Sequence, residues 1–318
     1  MAASKPTKTA QSETSRSRPD RSKTRDEWIA TARTLAEALP YMRMFSGQTF
    51  VIKLGGAAMG EEALTHTFAR DVMLMKQVGI NPVVVHGGGP QIGEMLARLG
   101  IESKFDKGLR ITDKATVDVV EMVLAGSINK KIVGAIESAG GHAAGISGKD
   151  GKLLGARKLM RPRQVDDSNI ENMLDLGYVG EPTTVNPHIL EPFAATDVIP
   201  VIAPIGIGAK DETFNINADT AAGAIAAAMN ASKLILLTNV EGVLDKNKAI
   251  VPQLSLKDAR ELLKDGTLTG GMIPKVETCV RAVKQGTGAA HILDGRIPHV
   301  LLLEIFTAHG VGTMILPR

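Results

Sequence analysis

The stretch Thr49-Phe50-Val51-Ile52-Lys53-Leu54-Gly55-Gly56 decides the fold. Apart from Lys53, its apolar residues are consecutive rather than alternating, and it runs into a glycine pair. Continuous apolar strands are buried on both faces, which is the mark of a parallel sheet. Pro82-Val83-Val84-Val85-His86 repeats the pattern and ends in Gly87-Gly88-Gly89-Pro90. Between the two, Leu64, Phe68, Val72 and Met75 recur at helical spacing. Further outward, Val198–Ala203 and Leu234–Leu237 read as strands, the second leading into Thr238-Asn239. Helices are expected over about 91–99, from Lys114 onward (capped by Thr112 or Asp113, with a break near Gly126), over 219–229 and near 272–285. Residues 206–215 read as a hairpin, and 150–185 as a less regular insert of short strands and turns. The βαβα order predicts a doubly wound α/β fold.

Composition narrows the function. The chain has 318 residues, enough for one large domain or two lobes. Seven Phe, two Tyr and one Trp are too few for a base-stacking nucleic-acid platform. The net charge of +3 hides an asymmetry: residues 1–25 carry seven basic and two acidic side chains, and the remaining 30 basic and 32 acidic ones net −2. The body thus has no basic footprint for nucleic acid. The lone Cys279 forms no intramolecular disulfide and no cysteine metal site, so a reducing, cytoplasmic setting is expected. No apolar run approaches the ~20 residues of a membrane span, and no membrane partner is expected.

Residues 1–25 lack large aliphatic residues beyond Met1 and are expected to be a disordered basic tail. Their Ser/Thr/Arg content fits a transit peptide, but Glu13 and Asp20 weigh against one. Thr24 and Glu27 then form a capping-box spacing. Trp28, Ala32, Leu35, Ala36 and Leu39 recur at helical spacing, with Pro40 as the expected end. This helix either folds on its own domain or docks on another subunit.

Ligands in open α/β sheets bind beyond the carboxyl ends of the strands. Two glycine runs fall there, and glycines let backbone N–H groups approach an anion. Lys53 inside an apolar strand is costly unless it meets a charge, which favours a phosphate site over two ordinary turns. The P-loop is excluded, because Ala143 and Asp150 stand where the pattern around Gly148-Lys149 needs Gly and Ser/Thr. Gly87, Gly89 and Gly93 give the wrong spacing for a dinucleotide fingerprint, so a nicotinamide oxidoreductase is the weaker reading. Asn217 and Asp219 are ordinary helix-cap and first-turn chemistry by themselves. Lys275, in the first turn of the last long helix, opposes the macrodipole: it is either a solvated lysine or a phosphate grip.

Six segments, in this order, resemble the amino acid kinase family. They are Lys53–Gly56, His86–Pro90, Gly108-Leu109-Arg110-Ile111-Thr112, Asn215-Ile216-Asn217-Ala218-Asp219, Leu237-Thr238-Asn239-Val240-Glu241-Gly242-Val243 and Gly271-Met272-Ile273-Pro274-Lys275. The resemblance covers about residues 27–316. Gly108–Thr112 and Asn215–Asp219 point within that family to the acetylglutamate kinases. It implies a three-layer αβα sandwich with a central, mainly parallel sheet. It also implies an oligomerisation helix at 26–46, an acyl-amino-acid-binding lobe at 47–205 and a nucleotide-binding lobe at 206–318.

The implied reaction transfers a phosphoryl group from ATP, with Mg²⁺, to the side-chain carboxylate of N-acetyl-L-glutamate, a step of arginine biosynthesis. Lys53, Lys275, Asp219, Gly55 and Gly56 would be catalytic. Gly88, Gly89, Arg110 and Asn215 would bind the substrate; Thr238, Asn239 and Lys275 would bind the nucleotide. No protein side chain would hold a metal of its own. Glu37–Tyr41, His291–Arg296 and Leu303–Thr313 resemble the arginine-inhibited branch. There the helix interlaces dimers into a hexamer, a trimer of dimers, and Tyr41, Lys233, His291, Glu304, Gly310 and Gly312 would form the arginine site. The resemblance also brings in a PII-type regulatory partner, on which the residues themselves are silent. The rival readings are a kinase of a related acyl or amino acid, such as an aminoadipate derivative, and an arginine-sensing binding protein with a decayed active site.

Overall fold

The computed structural model describes residues 24–106, 108–164, 171–308 and 310–318, so nearly all of the basic tail expected at 1–25 lies outside the described residues. Fourteen strands are described: β1 Thr49–Leu54, β2 Asn81–His86, β3 Lys104–Asp106, β4 Leu109–Ile111, β5 His142–Ser147, β6 Leu154–Gln164, β7 Glu171–Val185, β8 Val198–Ala203, β9 Ile205–Ile207, β10 Thr213–Ile216, β11 Lys233–Thr238, β12 Gln253–Ser255, β13 Ala289–Asp294 and β14 Thr313–Leu316. The α-helices are α1 Arg25–Phe45, α2 Gly56–Met59, α3 Glu62–Gln77, α4 Gly89–Arg98, α5 Lys114–Glu121, α6 Asn129–Ser138, α7 Glu191–Ala194, α8 Ala218–Ala228, α9 Leu256–Lys264, α10 Met272–Lys284 and α11 Val300–Phe306.

The continuous apolar strands do form a buried parallel sheet. Its order is β12-β14-β13-β11-β1-β2-β8-β5. The six strands from β13 to β5 are parallel, while β14 pairs antiparallel to β13 and in parallel with β12. On one face α8 packs against β1, β2 and β11, with α10 beside it; on the other, α3 packs on β2 and α6 on β5 and β8. Val51, Val83, Val85, Leu234 and Leu236 share one core with Ala221, Ala222 and Ile225 of α8. Lys53 stands two residues after Val51 and, by the two-residue period of a strand, points to this same α8 face.

The chain leaves β1 toward β2 on one side and returns to pair β11 on the other. The carboxyl ends of β1 and β11 thus flank a topological switch point, where this architecture opens a crevice.

Residues 150–185 differ from the expected short strands: β6 and β7 form a long antiparallel hairpin. With β9 and β10 they close a four-stranded barrel. Charged cross-strand pairs hold the hairpin, Arg157 with Glu181 at 2.7 Å and Lys158 with Asp175 at 2.6 Å. A strand exposing such pairs has no apolar run to betray it. The line expected between lobes at 205/206 falls inside β9.

Among the described residues, 24–39 belong to one unit and those from Pro40 onward to another. Thr24 and Glu27 make the expected capping box, Thr24 N donating to Glu27 Oε2 at 2.6 Å and Glu27 N to Thr24 Oγ1 at 3.4 Å. Pro40 does not end α1, which runs on to Phe45. The Met42 carbonyl still accepts from Ser46 N at 3.1 Å, so the one donor missing at the proline leaves the later turn intact. The break near Gly126 is a π-helical turn, Met122–Ile128, between α5 and α6, and Asp113 caps α5 by accepting from Thr116 N at 2.8 Å. Among the described residues no helix is long and apolar enough to cross a membrane.

Ile52 is fully buried in the central strand. Truncation by Ile52→Ala should cost about 2–5 kcal/mol through lost burial and a cavity, read as a lower midpoint of thermal or urea unfolding. An unchanged midpoint would remove Ile52 from the core.

Candidate active site

Three elements distant in sequence meet at the switch point. Asn217 caps α8, its Oδ1 accepting from the N–H groups of Asp219 at 3.0 Å and Thr220 at 3.1 Å. That cap fixes the first turn, from which the buried Asp219 carboxylate projects. Lys53 Nζ of β1 lies 2.8 Å from Asp219 Oδ1. Lys275 Nζ, from the first turn of α10, donates to Oδ2 at 2.6 Å. Both ammonium groups are close enough for charge-assisted contact, at 2.8 Å on Oδ1 and 2.6 Å on Oδ2. Burial opposes the charge on Asp219, but the two ammonium groups outweigh it and hold the carboxyl below the usual carboxylate range.

A cleft opens on each side of this triad. The first, of about 230 Å³, is lined by Lys53, Asp219, the Gly87–Gly89 loop, Arg110 and Asn215. Arg110 lies in β4, and its guanidinium donates to the Gly89 carbonyl at 2.9 Å, contacts Ser103 Oγ and stacks 4.6 Å from the Phe105 ring centre. Burial pushes its pKa down, and among the described residues it has no ion-pair partner. A buried guanidinium that meets only neutral groups is a ready receptor for a carboxylate or phosphate.

The second cleft, of about 680 Å³, is lined by Thr238, Asn239, Gly242, Leu268, Met272 and Lys275. Thr238, Asn239 and Lys275 thus share one cleft. Both oxygens of Asp219 face ammonium groups, and no cluster of three or more His, Cys, Asp or Glu among the described residues could ligate a metal.

Gly55 closes the junction of β1 with β11. A Cβ there would stand 2.5 Å from the Leu237 carbonyl oxygen and 3.2 Å from Lys53 Nζ. Sequence reasoning missed Ser103 and Phe105 around Arg110, and Leu268 in the second cleft. Ser103 and Leu268 carry no local signal, whereas Phe105, an exposed aromatic beside the Gly108–Thr112 segment, did.

A second cluster lies at the amino ends of β11 and β13. Lys233 Nζ is 3.0 Å from His291 Nε2, and His291 Nδ1 is 2.7 Å from Glu304 Oε1. An ammonium only donates, so Nε2 accepts and Nδ1 carries the proton given to Glu304. Burial pushes the His291 pKa down. Burial also opposes the charge on Glu304, but His291 and the Val311 N–H at 2.9 Å hold its carboxyl low. Gly310 lies against the same carboxylate, and Gly312 against the carbonyl of Ile292. Lys233 also sits 5.3 Å from the Phe45 ring centre. Tyr41 lies one helical turn before Phe45 in α1, half-buried.

The sequence pattern of the amino acid kinase family matches residues 48–294. The chain belongs to the amino acid kinase family. An acetylglutamate kinase of Rhodospirillum rubrum is 64% identical over 91% of this chain and 93% of its own. One from Rhodospirillum centenum is 60% identical over 93% and 97%. Among solved structures, N-acetylglutamate synthase from Neisseria gonorrhoeae, complexed with coenzyme A and N-acetyl-glutamate, superposes with a TM-score of 0.76 at 25% identity. That match covers 90% of this chain and 63% of the synthase. The chain is thus a kinase of the amino acid kinase fold, with acetylglutamate kinases as relatives.

The substitution Gly55→Ala should lower kcat by at least about tenfold, because the methyl group must displace either the β11 backbone or the Lys53 ammonium. Steady-state kinetics beside a melting curve would check this, and a fully active, wild-type-stable variant would contradict the packing.

Proposed function

We propose that the chain transfers the γ-phosphoryl group of ATP to the side-chain carboxylate of N-acetyl-L-glutamate, giving N-acetylglutamyl phosphate and ADP in the cytoplasm. The observation that carries the reading is the Lys53–Asp219–Lys275 triad between a cleft holding an unpaired buried guanidinium and a larger second cleft. In this reading, residues 47–205 mainly bind the acyl amino acid and 206–318 the nucleotide.

The chemistry suits these groups. A carboxylate oxygen attacks the γ-phosphorus while the bond to the β,γ-bridging oxygen breaks, and ADP leaves with that electron pair. The nucleophile is already ionised at neutral pH, so no general base is needed. Phosphoryl transfer then asks mainly for positioning and charge stabilisation. Lys53 meets the transferring group from the substrate side and Lys275 from the nucleotide side. Asp219 acts through both by holding their ammonium groups. The N–H groups of Gly55, Gly56 and Gly88 face the developing charge. Arg110 grips the α-carboxylate bidentately, Gly88 and Gly89 contact the substrate, and Asn215 meets the acetylamino end. Thr238 and Asn239 line the nucleotide. With the nucleotide bound, Mg²⁺ would supply further charge neutralisation beside Lys53 and Lys275.

We further propose feedback inhibition by L-arginine at Tyr41, Lys233, His291, Glu304, Gly310 and Gly312. Glu304 would exchange its contact with His291 for the guanidinium. Lys233 opens β11 and Thr238 closes it, so about 16 Å of strand separates this cluster from the reacting groups. Inhibition must therefore act through two arrangements of the protein with different affinity for arginine. Leu35 and Leu39 of α1 are exposed on the single chain, which supports a role for this helix between subunits of a homohexamer.

A coupled assay with ATP and N-acetylglutamate tests the reaction, and a panel of related carboxylates separates the aminoadipate-type alternative. Lys53→Ala and Lys275→Ala should each cut kcat by about 10²–10³-fold or more. Arg110→Lys should chiefly raise KM for the carboxylate substrate. If the KM for ATP rises instead, Arg110 serves the other cleft. An arginine-binding protein without turnover would reverse the main reading.

For regulation, Glu304→Gln should leave uninhibited turnover near wild type and raise the half-inhibiting arginine concentration about tenfold or more. Removal of residues 1–39 should reduce the particle from hexamer to dimer by light scattering and blunt inhibition as well. An unchanged particle with an unchanged inhibition curve would refute both roles.

A further inference from the structure

Behind the Gly87–Gly89 loop lies a buried pair that the reaction reading leaves unused. His86 ends β2 and Asn129 opens α6, and both are fully buried. Asn129 Nδ2 donates to the Val201 carbonyl of β8 at 2.9 Å and lies 3.4 Å from the Ile146 carbonyl of β5. Lys130 Nζ donates to Asn129 Oδ1 at 3.1 Å. These partners settle which end of the amide is nitrogen. The same Nδ2 lies 3.3 Å from His86 Nε2, which must then be the acceptor. The ring proton is left on Nδ1, 2.9 Å from the carbonyl oxygen of Gly87. Burial pushes the His86 pKa down to about 4, so the ring is neutral in any ordinary assay.

That carbonyl shares one planar trans peptide with the N–H of Gly88, and the two bonds point in opposite directions. Pinning the oxygen of Gly87 therefore aims the hydrogen of Gly88. From the other side, Leu124 and Ile128 of the π-helical turn occupy the space that a Cβ on Gly88 would need. The wide turn thus delivers both the apolar wedge on Gly88 and, one residue later, Asn129.

We propose that Asn129 and His86 form a positioning relay: Asn129 selects the Nδ1–H tautomer of His86, which pins the Gly87 carbonyl and aims the Gly88 N–H at the transferring phosphoryl group. The relay rests on the reading that Gly88 faces that group. His86 touches neither substrate nor nucleotide in this scheme and is a positioning residue. A Gly88 N–H that wanders loses transition-state stabilisation more than substrate affinity, so its loss belongs in kcat.

The test compares three variants with the full-length enzyme. His86→Leu keeps bulk but has no donor; kcat should fall about 10–100-fold while both KM values stay within about threefold. His86→Asn places an amide N–H near the Nδ1 position and should restore kcat to within about fivefold of wild type. Nitrogen-15 NMR of histidine-labelled protein, with the His86 signals assigned by their loss in His86→Asn, should show a neutral ring protonated at Nδ1. Asn129→Ala should move that population toward the Nε2–H tautomer. A wild-type ring protonated at Nε2, full kcat in His86→Leu, or an equal fall in His86→Asn would overturn the relay. Should the wild type fail to phosphorylate N-acetylglutamate, or Lys53→Ala keep full turnover, the underlying reaction reading fails instead. The tautomer measurement needs no turnover and separates the two cases.

Discussion

One carboxylate shared by two ammonium groups organises this molecule. Asp219 is buried, and its charge is tolerable only because Lys53 and Lys275 approach its two oxygens. Removing one partner from such a buried arrangement typically costs about 3–5 kcal/mol, since the charge left behind is uncompensated. The triad thus ties β1, α8 and α10 together at the point where the sheet order reverses. It also fixes the spacing of two cations at the junction of two clefts. Strand periodicity puts Lys53 on the α8 face, the Asn217 cap sets the first turn of α8, and Gly55 lets β1 approach β11. Each is a local device whose effect is felt at one atom pair.

The parallel core was legible because its signal is local. Consecutive apolar residues in β1, β2, β8 and β11 read as doubly buried strands, and each is one. The antiparallel periphery was not, because β6 and β7 are held by charged cross-strand pairs rather than apolar runs. Pro40 illustrates a different failure: a proline removes a single donor, and the neighbouring turns of α1 persist. At the site, Lys53 announced itself as a charge inside an apolar strand. Asp219 looked like an ordinary first-turn acid until the fold put two lysines on it. No local pattern contains that contact, since the partners stand 166 and 56 residues away in sequence.

Two buried histidines share a logic. His86 and His291 both lie in strands of the sheet, and both are read as neutral rings with the proton on Nδ1, fixed by a donor at Nε2. One stands at the carboxyl end of β2, behind the Gly87–Gly89 loop. The other pairs a lysine and a glutamate near the amino end of β11. A neutral imidazole transmits orientation without adding charge, which suits positions where a further cation would disturb the balance of nearby ammonium groups.

The most direct test of the central claim traps the acyl phosphate. With ATP, N-acetylglutamate and hydroxylamine, the wild-type protein should yield the side-chain hydroxamate. Asp219→Asn, which no longer opposes the two lysines with charge, should yield it about 10²–10³-fold more slowly while still binding ATP in the wide cleft. Hydroxamate formation by Asp219→Asn at the wild-type rate would contradict the shared carboxylate as the organiser of the reaction.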